Sequence, residues 1–265
     1  DLLRTVVSQT TSAIEQILLQ RELLRQSAEA SRLAELNQLK SYFVSNVSHE
    51  LQTPLTSIRI IAELLQSKKR ISAKEKNEFL AVIEGESKRL SRLIDNVLDV
   101  SRIEQGLKRY HFSTHTLNDV LRDALASLDY QLKLNGFDVI VDIPKKSIKL
   151  NMDRDAMSQA LVNLFSNSIK YSFKEKMLKV VVSQQDGYVD IRVSDRGIGI
   201  QPDDLPRIFE TFYRSDDESI QSISGTGLGL TQIRHAVESH NGSITVDSVP
   251  GLGTTFLITL PARSV

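Results

Sequence analysis

The chain has 265 residues, 40% of them apolar, with Lys+Arg and Asp+Glu matched at 33 each. That content supports a folded core of one to three domains, and the balanced charge gives no basic field to argue for nucleic acid or an anionic membrane. The absence of cysteine excludes disulfides, thiolate metal sites and a cysteine nucleophile and is compatible with a cytoplasmic setting, while no apolar run approaches the roughly 20 residues of a membrane span. Asp1 opens inside a helical pattern with no initiator Met and no signal peptide. The expectation is therefore a part of a longer protein, whose absent portion carries an upstream sensor domain or a membrane anchor.

Residues 1–40 contain no Gly or Pro and are rich in good helix formers. Ile14, Ile17, Arg21, Leu24 and Ala28 follow a 3-4-3-4 spacing, which Leu36, Leu39 and Phe43 resume out of phase. This predicts a parallel coiled coil with a phase break, favoured over a plain amphipathic helix because no other early segment could cover the stripe.

A helix over about 30–67 follows, with Phe43, Val47, Leu51, Leu55 and Ile58 on one face. His49 lies off that stripe, next to solvent. Glu50 follows it and could accept a hydrogen bond from one ring nitrogen, leaving the other as a neutral nucleophile. Thr53 lies one turn later on the same face, and Pro54 predicts a bend. A lone exposed histidine is ordinarily just a surface residue, and the zinc motif H-E-x-x-H fails because position 53 is Thr.

Lys68, Lys69, Arg70 and Ser72 mark a polar turn before a second helix over 73–105, with Phe79, Val82, Ile83, Leu90, Leu93, Ile94, Val97, Leu98 and Ile103 on its buried face and Gly106 ending it. Two helices cannot enclose a core, whereas two copies of the hairpin make a four-helix bundle, so a homodimer is expected.

Beyond Gly106 the pattern becomes mixed. Strands are predicted at Leu107–His111, Phe137–Ile143, Ile148–Met152, Leu178–Gln184, Tyr188–Ser194, Ser243–Val249 and Thr254–Leu260, and helices at Leu117–Leu132, Asp155–Tyr171 and Leu228–Ser239. Ile208–Arg214 reads as a turn or short helix, and Ser215–Ser224 as a polar lid. The sum is an α/β sandwich with a mostly antiparallel sheet and helices on one face.

Four clusters in this second half suit a nucleotide. Asn163, Asn167 and Lys170 fall on one helical face, where amide oxygens can serve Mg²⁺ and the lysine a phosphate. Asp195-Arg196-Gly197-Ile198-Gly199-Ile200 follows a strand, and its carboxylate can accept from an exocyclic amine such as that of adenine. Gly225-Thr226-Gly227-Leu228-Gly229-Leu230 opens a helix whose N–H groups suit phosphates. No parallel βαβ unit surrounds it, so it is not the dinucleotide fingerprint, and no Gly-Lys-Ser/Thr follows, so it is not a Walker loop. In Phe209-Glu210-Thr211-Phe212-Tyr213-Arg214, the arginine could reach a terminal phosphate, and the two Phe read best as core. His111, His115, His235 and His240 lack metal spacing and read as surface or packing residues, as do Met152, Met157 and Met177 for packing; Asp216-Asp217-Glu218 reads as a solvated part of the lid.

Together these stretches resemble the sensor histidine kinases of two-component signalling. Ser48–Leu55 is similar to the family's H box, Asn163–Tyr171 to the N box, Asp195–Ile200 and Gly225–Leu230 to the two glycine boxes, Phe209–Arg214 to the F box, and Gly251–Phe256 to the closing glycine motif. The resemblance covers about residues 30–262. It implies a signalling helix or coiled coil over 1–40, a dimerisation and phosphotransfer domain over 41–105, and a catalytic ATP-binding domain of the gyrase, chaperone and histidine kinase type over 106–265.

By the same resemblance, His49 would be the phosphoacceptor, Glu50 its activating base and Thr53 a positioner of water in dephosphorylating a response regulator. Asn163 and Asn167 would serve Mg²⁺ and phosphates. Lys170, Tyr171 and Arg214 would contact phosphates or ribose, and Asp195 the adenine. Gly197, Gly199, Gly225, Gly227 and Gly229, with Thr226 and Leu228 between them, would line the pocket and lid. Position 52 is Gln where the family more often has a basic residue, and position 168 is Ser rather than the usual Ala.

The expected activity is autophosphorylation of His49 by ATP and transfer to an Asp on the receiver domain of a separate response regulator. Three rivals remain: a phosphatase-dominant relative; a nucleotide-driven clamp, disfavoured because position 163 carries Asn where a water-activating carboxylate would be needed; and a non-catalytic dimer scaffold.

Overall fold

The structure, a computed structural model, describes residues 2–67, 71–215, 217, 220, 223 and 225–262; of residues 2–15, 17, 35, 36 and 42 it describes the backbone. Two compact units result, residues 1–46 and 47–265. Among the described residues no helix is long and apolar enough to cross a membrane.

The first unit is helical, the N-terminal part of α1 (Leu2–Ser67). Leu18, Leu19, Leu23, Leu24 and Leu33 are all more than half exposed, so these five side chains are largely open to solvent. Of the predicted stripe, the side chains of Ile14, Ile17 and Leu36 lie outside the described residues.

The second unit begins with the rest of α1, which carries His49 and runs helically through Pro54. Lys68, Lys69 and Arg70 of the predicted turn lie outside the described residues. Helix α2 (Ala73–Glu104) starts with a reciprocal capping box: the Ser72 hydroxyl accepts from the Glu75 N–H while the Glu75 carboxylate accepts from the Ser72 N–H. It ends at Gly106, whose φ of 67° suits a residue without Cβ. Leu55, Ile60, Leu64, Leu80, Val82, Ile94 and Leu98 stay well exposed on these two helices, and among α2 residues only Val100 is fully buried. In the single chain, Val82, Ile94 and Leu98 are thus not covered.

The α/β part follows as β1 (Ser113–Thr116), α3 (Leu117–Ser127), α4 (Asp129–Leu134), β2 (Asp138–Asp142), β3 (Lys149–Met152), α5 (Arg154–Tyr171), β4 (Met177–Gln185), β5 (Tyr188–Asp195), α6 (Gly229–Ser239), β6 (Ser243–Val249) and β7 (Gly253–Pro261). The main sheet has the order β2-β4-β5-β7-β6; β2 and β4 are parallel and the other pairs antiparallel. Strands β1 and β3 form a separate antiparallel pair. Alternation buries Leu178, Val180 and Val182 of β4, Val189, Ile191 and Val193 of β5, and Phe256, Ile258 and Leu260 of β7. These residues share a core with Val120, Leu121 and Ala124 of α3, Leu161, Leu164 and Phe165 of α5, and Ile233 and Val237 of α6, with Met152 and Met157 fully enclosed. Truncating Phe165 to Ala would cost about 3–5 kcal/mol.

Two predicted elements need correction. The strand expected at Leu107–His111 is absent, and β1 begins instead at Ser113. The register explains this: Ser113 pairs with Met152, so a residue before it would face Asp153, which already caps α5 through a bond from the Ala156 N–H. The preceding segment is pinned otherwise, by His111 N–H to Asp153 Oδ2 at 2.8 Å and by the Phe112 ring edge-on to His240 at 4.9 Å. The single helix expected over Leu117–Leu132 is two, broken at Leu128 (φ −110°, ψ 2°), and both Leu128 and Leu132 remain in the core.

His240 is the packing residue its spacing suggests. Its Nδ1 lies 2.6 Å from the Ala236 carbonyl, which can only accept, and its Nε2 accepts from the Asp153 N–H at 2.8 Å. Only the neutral ring satisfies both. Burial pushes its pKa down, against the opposing pull of the Ala236 carbonyl and the Asp153 charge. The unfolded ring therefore binds protons more readily than the folded one, and stability falls as pH drops below the ordinary histidine value of about 6.5. Melting temperatures from neutral to mildly acid pH are expected to show this fall, and His240→Gln, which keeps an acceptor but cannot titrate, to flatten it.

Candidate functional site

The C-terminal end of β5 meets α5 and the start of β7 at Asp195. Its Oδ1 accepts from the Gly197 N–H at 2.9 Å and the Thr254 N–H at 3.2 Å, and its Oδ2 from the Ser168 hydroxyl at 3.1 Å. Burial raises its pKa, and the donors at Gly197, Ser168 and Thr254 oppose that rise. The loop after it is clamped from behind. The Ile198 N–H donates to the Tyr171 carbonyl, the Gly251 N–H to the Ile198 carbonyl, and the Ile200 N–H to Ser248 Oγ. A Cβ at Gly197 would lie 2.6 Å from the Tyr171 carbonyl oxygen, and one at Gly199 (φ +72°) would land on the Val249 carbonyl. The glycines here are spaces that neighbouring backbone occupies.

A cavity of about 460 Å³ opens in front of Asp195, within the range of about 300–1,000 Å³ usual for small-molecule sites. Of the residues predicted from sequence, Glu50, Asn163, Asn167, Lys170, Tyr171, Asp195, Gly199, Arg214, Gly225, Thr226, Gly227 and Gly229 line it. His49, Thr53, Gly197 and Leu228 do not. His49 is exposed on α1, with its carbonyl accepting from Thr53 Oγ1 at 3.2 Å, and Leu228 is buried at the start of α6.

Around the cavity the charges are ordered. Glu50 pairs with Arg89 of α2 at 3.3 Å. Burial lowers the pKa of Lys170, the Glu50 charge opposes that fall, and the Arg214 and Arg89 charges add to it. Burial also raises the pKa of the Tyr171 hydroxyl, with the Arg214 charge opposing. Arg214 lines the cavity with its guanidinium already engaged. It donates to the carbonyls of Gly225 at 2.8 Å, Ile220 at 3.0 Å and Ile223 at 2.7 Å, tying these three residues back to position 214. Asp216 and Glu218 of that segment lie outside the described residues. Phe212 has φ +71°, and its carbonyl and that of Tyr213 sit where a Cβ on Gly227 (φ +73°) would fall, at 3.1 and 2.9 Å.

Sequence reasoning missed several participants. Asn163 accepts from Gln159 at 3.2 Å and donates to Gln232 Oε1 at 3.2 Å, while Gln232 Nε2 donates to the Asn96 carbonyl of α2 at 3.1 Å. Nothing in the local pattern marks Gln232 beyond its place one turn after Leu228. The sequence marks Ser168 only as a departure from the family's usual Ala, and Thr254 only as part of the closing glycine motif; neither pattern shows that they donate to Asp195.

A sandwich whose helices and one-sided sheet frame a glycine-walled, cation-lined cavity behind a helical hairpin has the make-up of a nucleotide-binding protein. Residues 152–264 match the model of the histidine kinase-, DNA gyrase B- and HSP90-like ATPases, and residues 39–106 match that of the His Kinase A phospho-acceptor domain. The sensor protein kinase WalK of Staphylococcus aureus is 36% identical over 225 residues, which are 84% of this chain and 54% of that protein. The same kinase from strain Newman is matched over 37% of its length, so the chain spans about half or less of the curated relatives it matches. Among solved structures, the Acinetobacter baumannii histidine kinase AdeS is alike over 82% of this chain and 98% of its own, with TM-score 0.57 and 21% identity. Full-length ShkA in complex with AMPPNP is alike over 86% of this chain and 46% of its own, with TM-score 0.60 and 24% identity. The structural likenesses speak for the fold. With both domain types matched in order, the chain belongs to the sensor histidine kinases of two-component systems.

The glycines give a direct check of the loop geometry. Gly227→Ala is expected to lower stability by more than about 1 kcal/mol, since it adds a Cβ to a left-handed residue facing two carbonyls. Gly225→Ala, whose Cβ would meet only Lys170 Nζ at 3.6 Å, is expected to melt like the native chain. Thermal unfolding of the pair reads the difference.

Proposed function

We propose that the chain is an ATP-dependent protein-histidine kinase that phosphorylates His49 and passes the phosphoryl group to an Asp on a separate response regulator. The observation that carries this is the cavity itself: one wall comes from Glu50, the chain neighbour of His49, and the others from Asn163, Asn167, Lys170, Asp195 and Arg214. The residues fit an adenine nucleotide. Asp195 offers an acceptor to an exocyclic amine, Lys170 and the start of α6 suit phosphates, and the volume is adequate. They also fit Mg²⁺, since two amide oxygens beside substrate phosphates are a donor set that this hard, water-retaining ion accepts. Asn163 and Asn167 would hold it, and it would offset charge on the phosphoryl oxygens.

The neutral His49 ring attacks the γ-phosphorus with one nitrogen lone pair as the bond to the bridging oxygen breaks and ADP leaves. In this reading Glu50 takes a hydrogen bond from the ring's other N–H, which requires it to share or release Arg89. Lys170 lowers the cost of charge on the transferring group. In the same reading Thr53, one turn on from His49, positions water when the phosphorylated regulator is hydrolysed.

We assign residues 1–40 to a signalling coiled coil, 41–105 to dimerisation and phosphotransfer, and 106–265 to ATP binding. The exposed Leu55, Ile60, Val82, Ile94 and Leu98 support a second copy completing a four-helix bundle. Incubation with Mg²⁺ and γ-labelled ATP is expected to give acid-labile, base-stable label on the native chain, and none on His49→Gln. Native protein that binds nucleotide yet stays unlabelled under activating conditions would count against kinase activity.

A further inference from the structure

Asp195 is enclosed, and its hydrogen bonds can be counted. Each carboxylate oxygen accepts about two hydrogen bonds. Oδ1 already has two, from the Gly197 and Thr254 N–H groups. Oδ2 has one, from Ser168 Oγ at 3.1 Å, and so keeps a single acceptor site. Asp195 lines the cavity, whereas Ser168 is 2% exposed and lies behind it on α5. Among the described residues these three donors are all that reach the carboxylate. Two of them are backbone groups that any side chain would supply. The third depends on a serine at a position where alanine would lack a donor.

We propose that Ser168 is a positioning residue that sharpens the purine preference of the site in this chain. By donating its hydroxyl hydrogen to Asp195 Oδ2, it keeps the carboxylate acceptor-only and leaves one lone pair for an exocyclic amine, so the site takes 6-amino purines and rejects 6-oxo purines. The inference rests on the adenine-nucleotide reading of the cavity. A 6-oxo purine presents a carbonyl where the amine would be, and two acceptors facing each other in a desolvated site are costly. Only a protonated Asp195 could donate to that carbonyl. Burial already pulls the carboxyl towards its neutral form, and the Ser168 hydroxyl is one of the donors that opposes this. Without it, protonation sets in at higher pH, adenine loses its acceptor and a 6-oxo base gains a donor.

The test is calorimetric titration of the native chain and Ser168→Ala with ADP and IDP, from mildly acid to mildly alkaline pH. The native chain is expected to bind ADP with little pH dependence and to disfavour IDP throughout. In Ser168→Ala, ADP affinity is expected to drop severalfold, because the Asp195 carboxylate is held less firmly towards the cavity and protonates more readily. That loss should deepen as pH falls, while IDP affinity rises over the same interval. Ser168→Cys, a weaker donor of similar volume, is expected to lie between the two, and it carries the comparison if the alanine variant fails to fold. Equal affinities, pH profiles and ADP-to-IDP ratios in the native and variant chains would overturn the role of Ser168 and leave the adenine reading standing. A folded native chain that binds no ADP at all would remove both.

Discussion

The carboxylate of Asp195 is the point on which the nucleotide domain depends. It draws the end of β5, the interior face of α5 and the first residue pairs of β7 onto one side chain, through donors at Gly197, Ser168 and Thr254. A buried carboxylate without such partners would be driven to its neutral form or would open the structure to water. Saturating one oxygen and leaving the other partly free lets the group do two things at once: it fixes the loop behind it and presents an acceptor to the cavity in front.

The cavity's charge is held in a similar balance. Lys170 lies largely buried near Arg214 and Arg89, an arrangement that disfavours its own ammonium, and the Glu50 charge opposes this. Arg89 is itself paired with Glu50. Placing phosphate oxygens beside Lys170 would therefore compete with the Glu50 carboxylate for the same cations. An anionic ligand and the carboxylate next to His49 are thus coupled through ordinary Coulomb interactions, with no moving part required.

Much of this was legible from the sequence because it follows from local rules. The strands Ser243–Val249 and Met177–Gln185 alternate in apolarity, Gly106 ends a helix, and the glycine runs at 197–199 and 225–229 show where backbone must approach backbone. The failures were non-local. Leu107–His111 has strand-like composition, but its would-be partner at Asp153 is already committed to capping α5. The Gln232 bridge joins α6 to Asn163 and to Asn96, residues 69 and 136 positions away, and no periodicity reports such a pairing. Arg214 was readable as a cation for phosphate, yet its five donors fit the carbonyls of Ile220, Ile223 and Gly225 equally well.

Strand β7 lies between β5 and β6, and its Thr254 N–H supplies one of the two bonds to Asp195 Oδ1. On a ribosome the chain appears from its N-terminus at about 5–20 residues per second, and local helical contacts form long before distant strand pairs. The helical hairpin bearing His49 is therefore available early, while the cavity stays unfinished until residues some 200 positions later have been made and inserted into the middle of the sheet. Vectorial synthesis alone thus keeps His49 apart from a completed cavity of its own chain until the C-terminal hairpin has closed.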